Sequence, residues 1–221
     1  MSDRVEIAAV LTRLLDNLSL TVSSQTGRTG ADLRRQIGRV RADYLTLLAN
    51  GGFGVALLTC FRVAEQANVK LASLAYVREQ LIAEEPVGDI AAVIVQSGIS
   101  FCLATEARMV SALTFVSRDD VELMMSRMKL AFDAARDKVA DMSDSSVYRQ
   151  LTYLAGALTN HLATKSRPLP SMVTFKMQAN LPSLVFSQRV YYEASRADEL
   201  AQENRIIHPA FCLRDMRGLG A

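Results

Sequence analysis

Two histidines, three cysteines and scattered carboxylates are the residues on which chemistry could be built. His161 sits beside Leu162 in a leucine-rich helical stretch and reads as an ordinary helical residue rather than a general base. His208 precedes Pro209, where a turn-fixing role fits better than proton transfer. Cys60, Cys102 and Cys212 are odd in number and widely spaced, which matches neither a disulfide framework nor a zinc site. They are expected as reduced, buried thiols. Asp119, Asp120 and Glu122 form an acidic run, but carboxylates just after Ser117 are what a helix start asks for. Gly51, Gly52 and Gly54 precede a helix, as a phosphate-cradling loop would. They lack both the G-x-G-x-x-G spacing and a Gly-Lys-Ser/Thr ending. No H-E-x-x-H, no nucleophile–base–acid set and no ligand-spaced carboxylates occur, so the expectation is a non-enzyme without cofactor or metal.

The densest basic cluster is Arg34, Arg35, Arg39 and Arg41, four arginines in eight positions. It reads either as a solvated helix face or as a contact for an acidic partner, which could be a neighbouring subunit or a phosphate backbone. No aromatic residue is interleaved, which argues against a platform for stacked bases. The formal charge of +2 over 221 residues is low for a nucleic-acid-binding domain.

These residues must be positioned by helices. Half the chain is hydrophobic, only 6% is aromatic, and there is no Trp. Ala, Leu and Val favour close-packed helices over aromatic-rich sheet sandwiches. The expected fold is mainly α: a multi-helix bundle over residues 1–166, then a small strand-plus-short-helix unit over 167–221. Asp3 and Glu6 spoil the basic start of a signal peptide. Ile90 to Ala104 is apolar but interrupted at Gln96-Ser97-Gly98 and shorter than the ~20 residues a bilayer needs. A soluble protein with no membrane partner is expected.

Helices are predicted over 3–22, 32–48, 53–67, 70–84, 89–115, 121–142 and 147–164 from three- and four-residue apolar spacing. The fifth is nearly apolar all round and should be central, with a break near Ser97-Gly98. The sixth should turn Leu123, Met124, Met128, Ala131, Phe132 and Ala135 inward. Polar loops are expected at 23–30 and, as a cap, at Ser143-Asp144-Ser145-Ser146. Arg167-Pro168-Leu169-Pro170 is the sharpest break, and residues 172–177 alternate like a short strand.

Asn180 to Phe211 then reads as a compact unit. Leu181-Pro182 opens a helix carrying Leu184, Val185, Val190 and Tyr191. Ser195 and Asp198 are spaced as a shortened capping box for a second helix, Arg196 to Glu203. Asn204 is expected as its left-handed end, Ile206 to Phe211 as extended or turning, and Gly218 to Ala221 as frayed.

This stretch resembles the C-terminal end of the DNA circularization (DNA circulation) proteins of Mu-like bacteriophages. The matching elements are Leu181-Pro182, Leu184-Val185, Arg189, Tyr191, Arg196-Ala197-Asp198-Glu199-Leu200, Asn204-Arg205-Ile206 and His208-Pro209 with Phe211. Further back, Thr114-Phe115, Ser117-Arg118, Asp120, Leu169-Pro170 and Phe175 also match, so the similarity spans roughly residues 90 to 215, about one domain. The larger members carry a non-helical N-terminal domain for which this chain has no room, which implies a split or reduced version. The resemblance implies a structural virion protein of a contractile tail, in or beside the baseplate hub or tube initiator, acting in tail assembly. It implies the tail baseplate as location, with host cytoplasm during assembly. The implied partners are hub, tube and tape-measure proteins, with a symmetric homo-oligomer in the particle. Arg189, Tyr191, Arg196, Asn204, Arg205, His208 and Phe211 would fix the terminal unit or make its contacts.

The family name implies an alternative, a DNA-binding protein acting on linear phage DNA ends through Arg34, Arg35, Arg39 and Arg41. The Ala197-Asp198-Glu199-Leu200…Asn204…Ile206 core also resembles half of a lysin-motif module. The flanking strands and opening G-D-x-[LIV] of a whole module are not found in the sequence. A docking knob is the favoured reading over carbohydrate binding.

Overall fold

The computed structural model describes residues 3–21, 27–141 and 145–220. The first part of the loop expected at 23–30, and Ser143-Asp144 of the expected cap, lie outside them. The chain is mainly α and divides into two compact units. Unit 1 comprises Met1–Leu113 and Ser126–His161, and unit 2 comprises Thr114–Met125 and Leu162–Ala221. The second unit therefore takes in a segment of the expected helical body as well as the C-terminal residues.

Unit 1 contains α1 (Asp3–Leu20), α2 (Arg28–Ala49), α3 (Phe53–Gln66), α4 (Leu71–Ile82) and α5 (Asp89–Ala112), with most of α6 (Arg118–Asp141) and α7 (Ser145–Ser166). α5 packs against α1, α3 and α4, and α2 packs on α1 and α3. The α1 stripe Ile7, Leu11, Leu14, Leu15 and Leu18 is buried as expected, with Val10 added. Each such side chain contributes on the order of 1.5–3 kcal/mol by leaving water.

α5 is central but unbroken, running 24 residues through Ser97-Gly98. By length and composition it could cross a membrane, which corrects the shorter reading, and 61% of its apolar window is buried in this unit. Gly98 is a close-approach site rather than a breaker: a Cβ there would lie 2.8 Å from Leu81 Cδ1 and 3.4 Å from Leu14 Cδ2. The helix stops at Ala112, three residues short of the expected Phe115. The residues entering it are held from α1: Glu6 accepts the Val87 N–H at 2.7 Å and the Gly88 N–H at 3.1 Å. A carboxylate there meets the positive end of the helix dipole.

α2 begins at Arg28, four residues before the expected start, because Gly30 and Ala31 continue the helix rather than the loop. On α6, Val121, Met128, Ala131, Phe132, Ala135 and Val139 are buried, whereas Leu123 is exposed. Leu123 stands two positions from Val121, which the 3.6-residue period turns away from the buried face.

Unit 2 holds β1 (Met172–Lys176), α8 (Ser183–Tyr191), a single 3-10 turn (Ala194–Arg196), α9 (Ala197–Glu203) and β2 (Asp215–Leu219). The strands pair antiparallel, from Met172 opposite Leu219 to Lys176 opposite Asp215. β2 overturns the expectation of a frayed end: Gly218 and Leu219 are paired, and Gly220 N–H donates to Ser171 O at 2.7 Å. Strand β2 alternates, with Met216 and Gly218 buried while Asp215 and Arg217 face out. Phe186, Leu200, Cys212 and Met216 form the core, with Phe175, Met177, Leu181, Val190, Tyr191 and Ile206 packed on it.

The α6 start belongs to this unit. Ser117 Oγ accepts the Asp120 N–H at 3.1 Å and donates to Asp120 Oδ2 at 2.7 Å, a capping box with Asp in place of Glu. Asp119 Oδ2 accepts the Met172 N–H at 2.7 Å, and Arg118 N–H donates to Pro170 O at 2.8 Å. The acidic run is thus used in capping and in tethering the start of β1.

Candidate partner-binding surface

Unit 2 brings together some of the residues singled out in the sequence and leaves others outside. Tyr191 closes α8 and is half-buried. Its ring meets Phe175 edge-on, 5.8 Å between centroids at 81°, and the Arg196 guanidinium carbon lies 3.8 Å from its centroid on a face. Arg196 is held there by a bidentate pair with Glu199, Nε to Oε2 at 3.0 Å and Nη2 to Oε1 at 2.7 Å. That pairing raises the Arg196 pKa. Burial raises the Tyr191 phenol, with Glu199 and Glu203 adding to the shift and Arg196 opposing it. The Tyr191 hydroxyl is buried without a hydrogen bond of good geometry. Its position requires glycine at 218, because a Cβ there would lie 2.0 Å from the hydroxyl oxygen.

Asn204 ties α9 to β2. Its amide nitrogen donates to Leu200 O at 2.8 Å and Arg217 O at 2.6 Å, and its oxygen accepts the Arg217 N–H at 2.7 Å. Asn204 is not left-handed, at φ −94°; the next residue, Arg205, is, at φ 50°. An asparagine already using its side chain across to a strand leaves the reversal to its neighbour. The Ser195–Asp198 capping box is likewise absent: Ser195 Oγ donates to Glu193 Oε1 at 2.5 Å, and Arg196 stands at the cap position of α9. The intervening 3-10 turn moves the helix start past Ser195.

Tyr191, Arg196 and Asn204 therefore hold the unit together, while Arg189, Arg205, His208 and Phe211 are exposed. The loop between α9 and β2 is pinned along its length. Ser183 N–H donates to Pro209 O at 2.7 Å, Cys212 N–H to Leu181 O at 3.0 Å, and Met177 N–H to Arg214 O at 2.8 Å. The His208 and Phe211 rings meet at a tilt, 5.3 Å between centroids and 48° between planes, and His208 Nδ1 accepts the Ala210 N–H at 3.3 Å. On this fixed loop Phe211 is 70% exposed and Ile207 wholly so, with Leu213 also outward. Exposed apolar side chains on a hydrogen-bonded loop beside Arg205 and Arg214 have the composition of a docking surface. Ile207 and Leu213 were not singled out in the sequence, although an aliphatic residue just before His-Pro, in a segment unable to form helix, is a readable signal.

The two strands also alter the lysin-motif comparison. They flank the helices in a strand–helix–helix–strand order, so the flanking strands absent from the sequence reading are present; the opening G-D-x-[LIV] is not.

In unit 1, Arg34, Arg35, Arg39 and Arg41 are all exposed on α2. Arg35 pairs with Asp32 at 2.8 Å and Arg41 pairs with Asp16 of α1. Among the described residues Arg34 and Arg39 have no ionic partner. His161 is exposed, its Nε2 3.2 Å from Ser111 O. The one fully buried ion pair among the described residues joins Arg78 of α4 to Glu106 of α5 at 3.0 Å. Burial raises the Glu106 carboxyl, against the opposing pull of Arg78. All three thiols are free and buried. Burial pushes Cys60 to about 11 and also raises Cys102 and Cys212. No group of three His, Cys, Asp or Glu able to hold a metal occurs among the described residues.

No protein-family model matches the chain, and no curated protein sequence matches it significantly.

Proposed function

We propose that the protein is a structural component of a contractile, Mu-like phage tail, located at or beside the baseplate hub or tube initiator and acting in tail assembly. The observation that carries this reading is the order and spacing of the terminal segment from Leu181-Pro182 to His208-Pro209 and Phe211, the stretch that resembles the DNA circularization family. The geometry of that segment supports it. Tyr191, Arg196 and Asn204 make a stiff unit, and Arg189, Arg205, Ile207, His208 and Phe211 lie on its outside. A hydrogen-bonded loop with apolar and arginine anchors suits assembly, because little backbone freedom is lost on docking.

Two other readings have specific observations behind them. The exposed arginines of α2 favour binding of linear phage DNA ends. The strand–helix–helix–strand order of unit 2 favours a lysin-motif-like, peptidoglycan-binding role.

The decisive experiment is to purify particles with and without this chain and image them. The tail reading expects fixed stoichiometry in the particle, and tails lacking a normal distal end when the chain is deleted. Particles that lack the chain and assemble normally would sink it. Salt-dependent duplex binding, or retention on purified peptidoglycan, would then support the DNA or cell-wall reading respectively.

A further inference from the structure

We infer that copies of this chain join one another by laying an exposed flank of α2 from one copy, antiparallel, along the outer face of α6 from the next. This rests on the proposed role as a repeating tail component but can be tested apart from it.

One exposed flank of α2 carries Arg34, Gly38, Arg41 and Leu45. The outer face of α6 carries Leu130, Ala134, Asp137 and Asp141, also all exposed. Both sets follow the spacing i, i+4, i+7, i+11, one continuous stripe about 16 Å long on a helix. Antiparallel, the two stripes match in charge at one end and in apolar character at the other, with Arg41, which pairs with Asp16 of its own chain, between them. Arg34 comes opposite Asp141, Gly38 opposite Asp137, Arg41 opposite Ala134, and Leu45 opposite Leu130. Leu45 and Leu130, at 46% and 70% exposed, then cover each other. Arg35 and Arg39 flank the seam on the side of the aspartates. Among the described residues Arg34, Arg39, Asp137 and Asp141 have no ionic partner within the chain, so their charges are free to pair elsewhere.

Gly38 is compatible with such a contact. A glycine in mid-helix is less stable than alanine, and this one has nothing within 4 Å of where a Cβ would be. Among the described residues nothing crowds it, unlike Gly98 or Gly218; Gly54 and Gly156 are equally uncrowded, and Gly38 differs from them in lying between Arg34 and Arg41 on the stripe. A glycine on an outer helix face lets a second helix approach closely, as small residues do at tight crossings. A phosphate backbone would use the arginines but has no use for the Leu45 end, which favours a protein helix as the occupant.

The contact joins two different faces, so it propagates head to tail into a ring or filament, or is made twice in a closed dimer. The test is sedimentation of the full chain at about 50 mM and about 500 mM salt, where screening differs several-fold in length. The wild type should self-associate at low salt and loosen at high salt. Arg34→Glu/Arg39→Glu and Asp137→Lys/Asp141→Lys should each weaken association by about tenfold or more. An equimolar mixture of the two should restore it, since each supplies the face the other has lost. Gly38→Leu should also weaken association while leaving the helical circular dichroism intact, which separates a seam defect from misfolding.

A wild type monomeric at both salts, reversed chains that associate like the wild type, or a mixture that fails to recover would each overturn the pairing. So would loss of duplex-DNA binding in Arg34→Glu/Arg39→Glu with self-association unchanged. A monomeric chain that still co-purifies with particles removes the helix pairing and leaves the tail reading standing; a chain that pairs but is absent from particles does the reverse.

Discussion

At the scale of single residues, Tyr191 and Gly218 depend on each other. The phenol occupies the space a side chain at 218 would need. Gly218→Ala should destabilise the protein by about 1–3 kcal/mol, the usual penalty for overpacking. Tyr191→Phe removes a buried hydroxyl without a good partner and should be close to neutral. The double variant should recover much of the loss, and urea denaturation of the four proteins of this cycle measures the coupling. Additive effects would mean that the hydroxyl is not what excludes the methyl group.

Glu106 is the other residue with a readable consequence. Burial holds its carboxyl above the ordinary range despite Arg78. The folded chain therefore holds this proton more tightly than the unfolded chain does. Stability from this group is fully present below the ordinary carboxylate value and declines as pH rises through the raised, folded one. Glu106→Gln should flatten that decline between acid and neutral pH, as seen in urea midpoints against pH. Glu106→Ala leaves Arg78 buried without a partner and should cost about 3–5 kcal/mol.

At the scale of elements, two serines with similar sequence credentials have different jobs. Ser117 makes the reciprocal bonds of a cap at the start of α6 and is buried. Ser195 is exposed and bonds to Glu193 instead of capping α9. Ser117→Ala should lower stability by about 1 kcal/mol, roughly 2–4 °C in melting temperature for a chain of this size. Ser195→Ala should stay within about 0.5 kcal/mol. Thermal melts of the pair check this, and equal losses would show that the cap is not what Ser117 contributes.

At the scale of the whole molecule, the chain passes between the two units at 113/114, 125/126 and 161/162. Three backbone connections and two shared helices make independent unfolding of either unit costly, because each would have to break a helix belonging to both. The thiols report on this, since Cys60 and Cys102 lie in unit 1 and Cys212 in unit 2, all buried with raised pKa values. Native protein at mild alkaline pH should react slowly with a thiol reagent. In rising urea the three cysteines should become reactive together, followed residue by residue by mass spectrometry. Labelling of Cys212 at clearly lower urea would show that unit 2 opens alone.

What the sequence determined by itself was local. Seven helices of the larger part, the break at Leu169-Pro170, the strand after it and the Ser117 start of α6 follow from apolar period, proline and capping chemistry, all of which act within a few residues. The site was legible in part: the residues carrying the family resemblance were readable, but not which of them face inward. Tertiary structure decided that Tyr191, Arg196 and Asn204 hold unit 2 while Arg189, Arg205, His208 and Phe211 face solvent, because burial depends on neighbours distant in the chain. It also decided that Gly98 is a crossing point rather than a break, since only contact with Leu81 and Leu14 gives the missing side chain a purpose. The same holds for β2. Asp215 to Leu219 carries charge and glycine and has weak strand propensity alone. It becomes a strand because β1 offers its unpaired backbone groups across the 38 intervening residues 177–214, a pairing no local window contains.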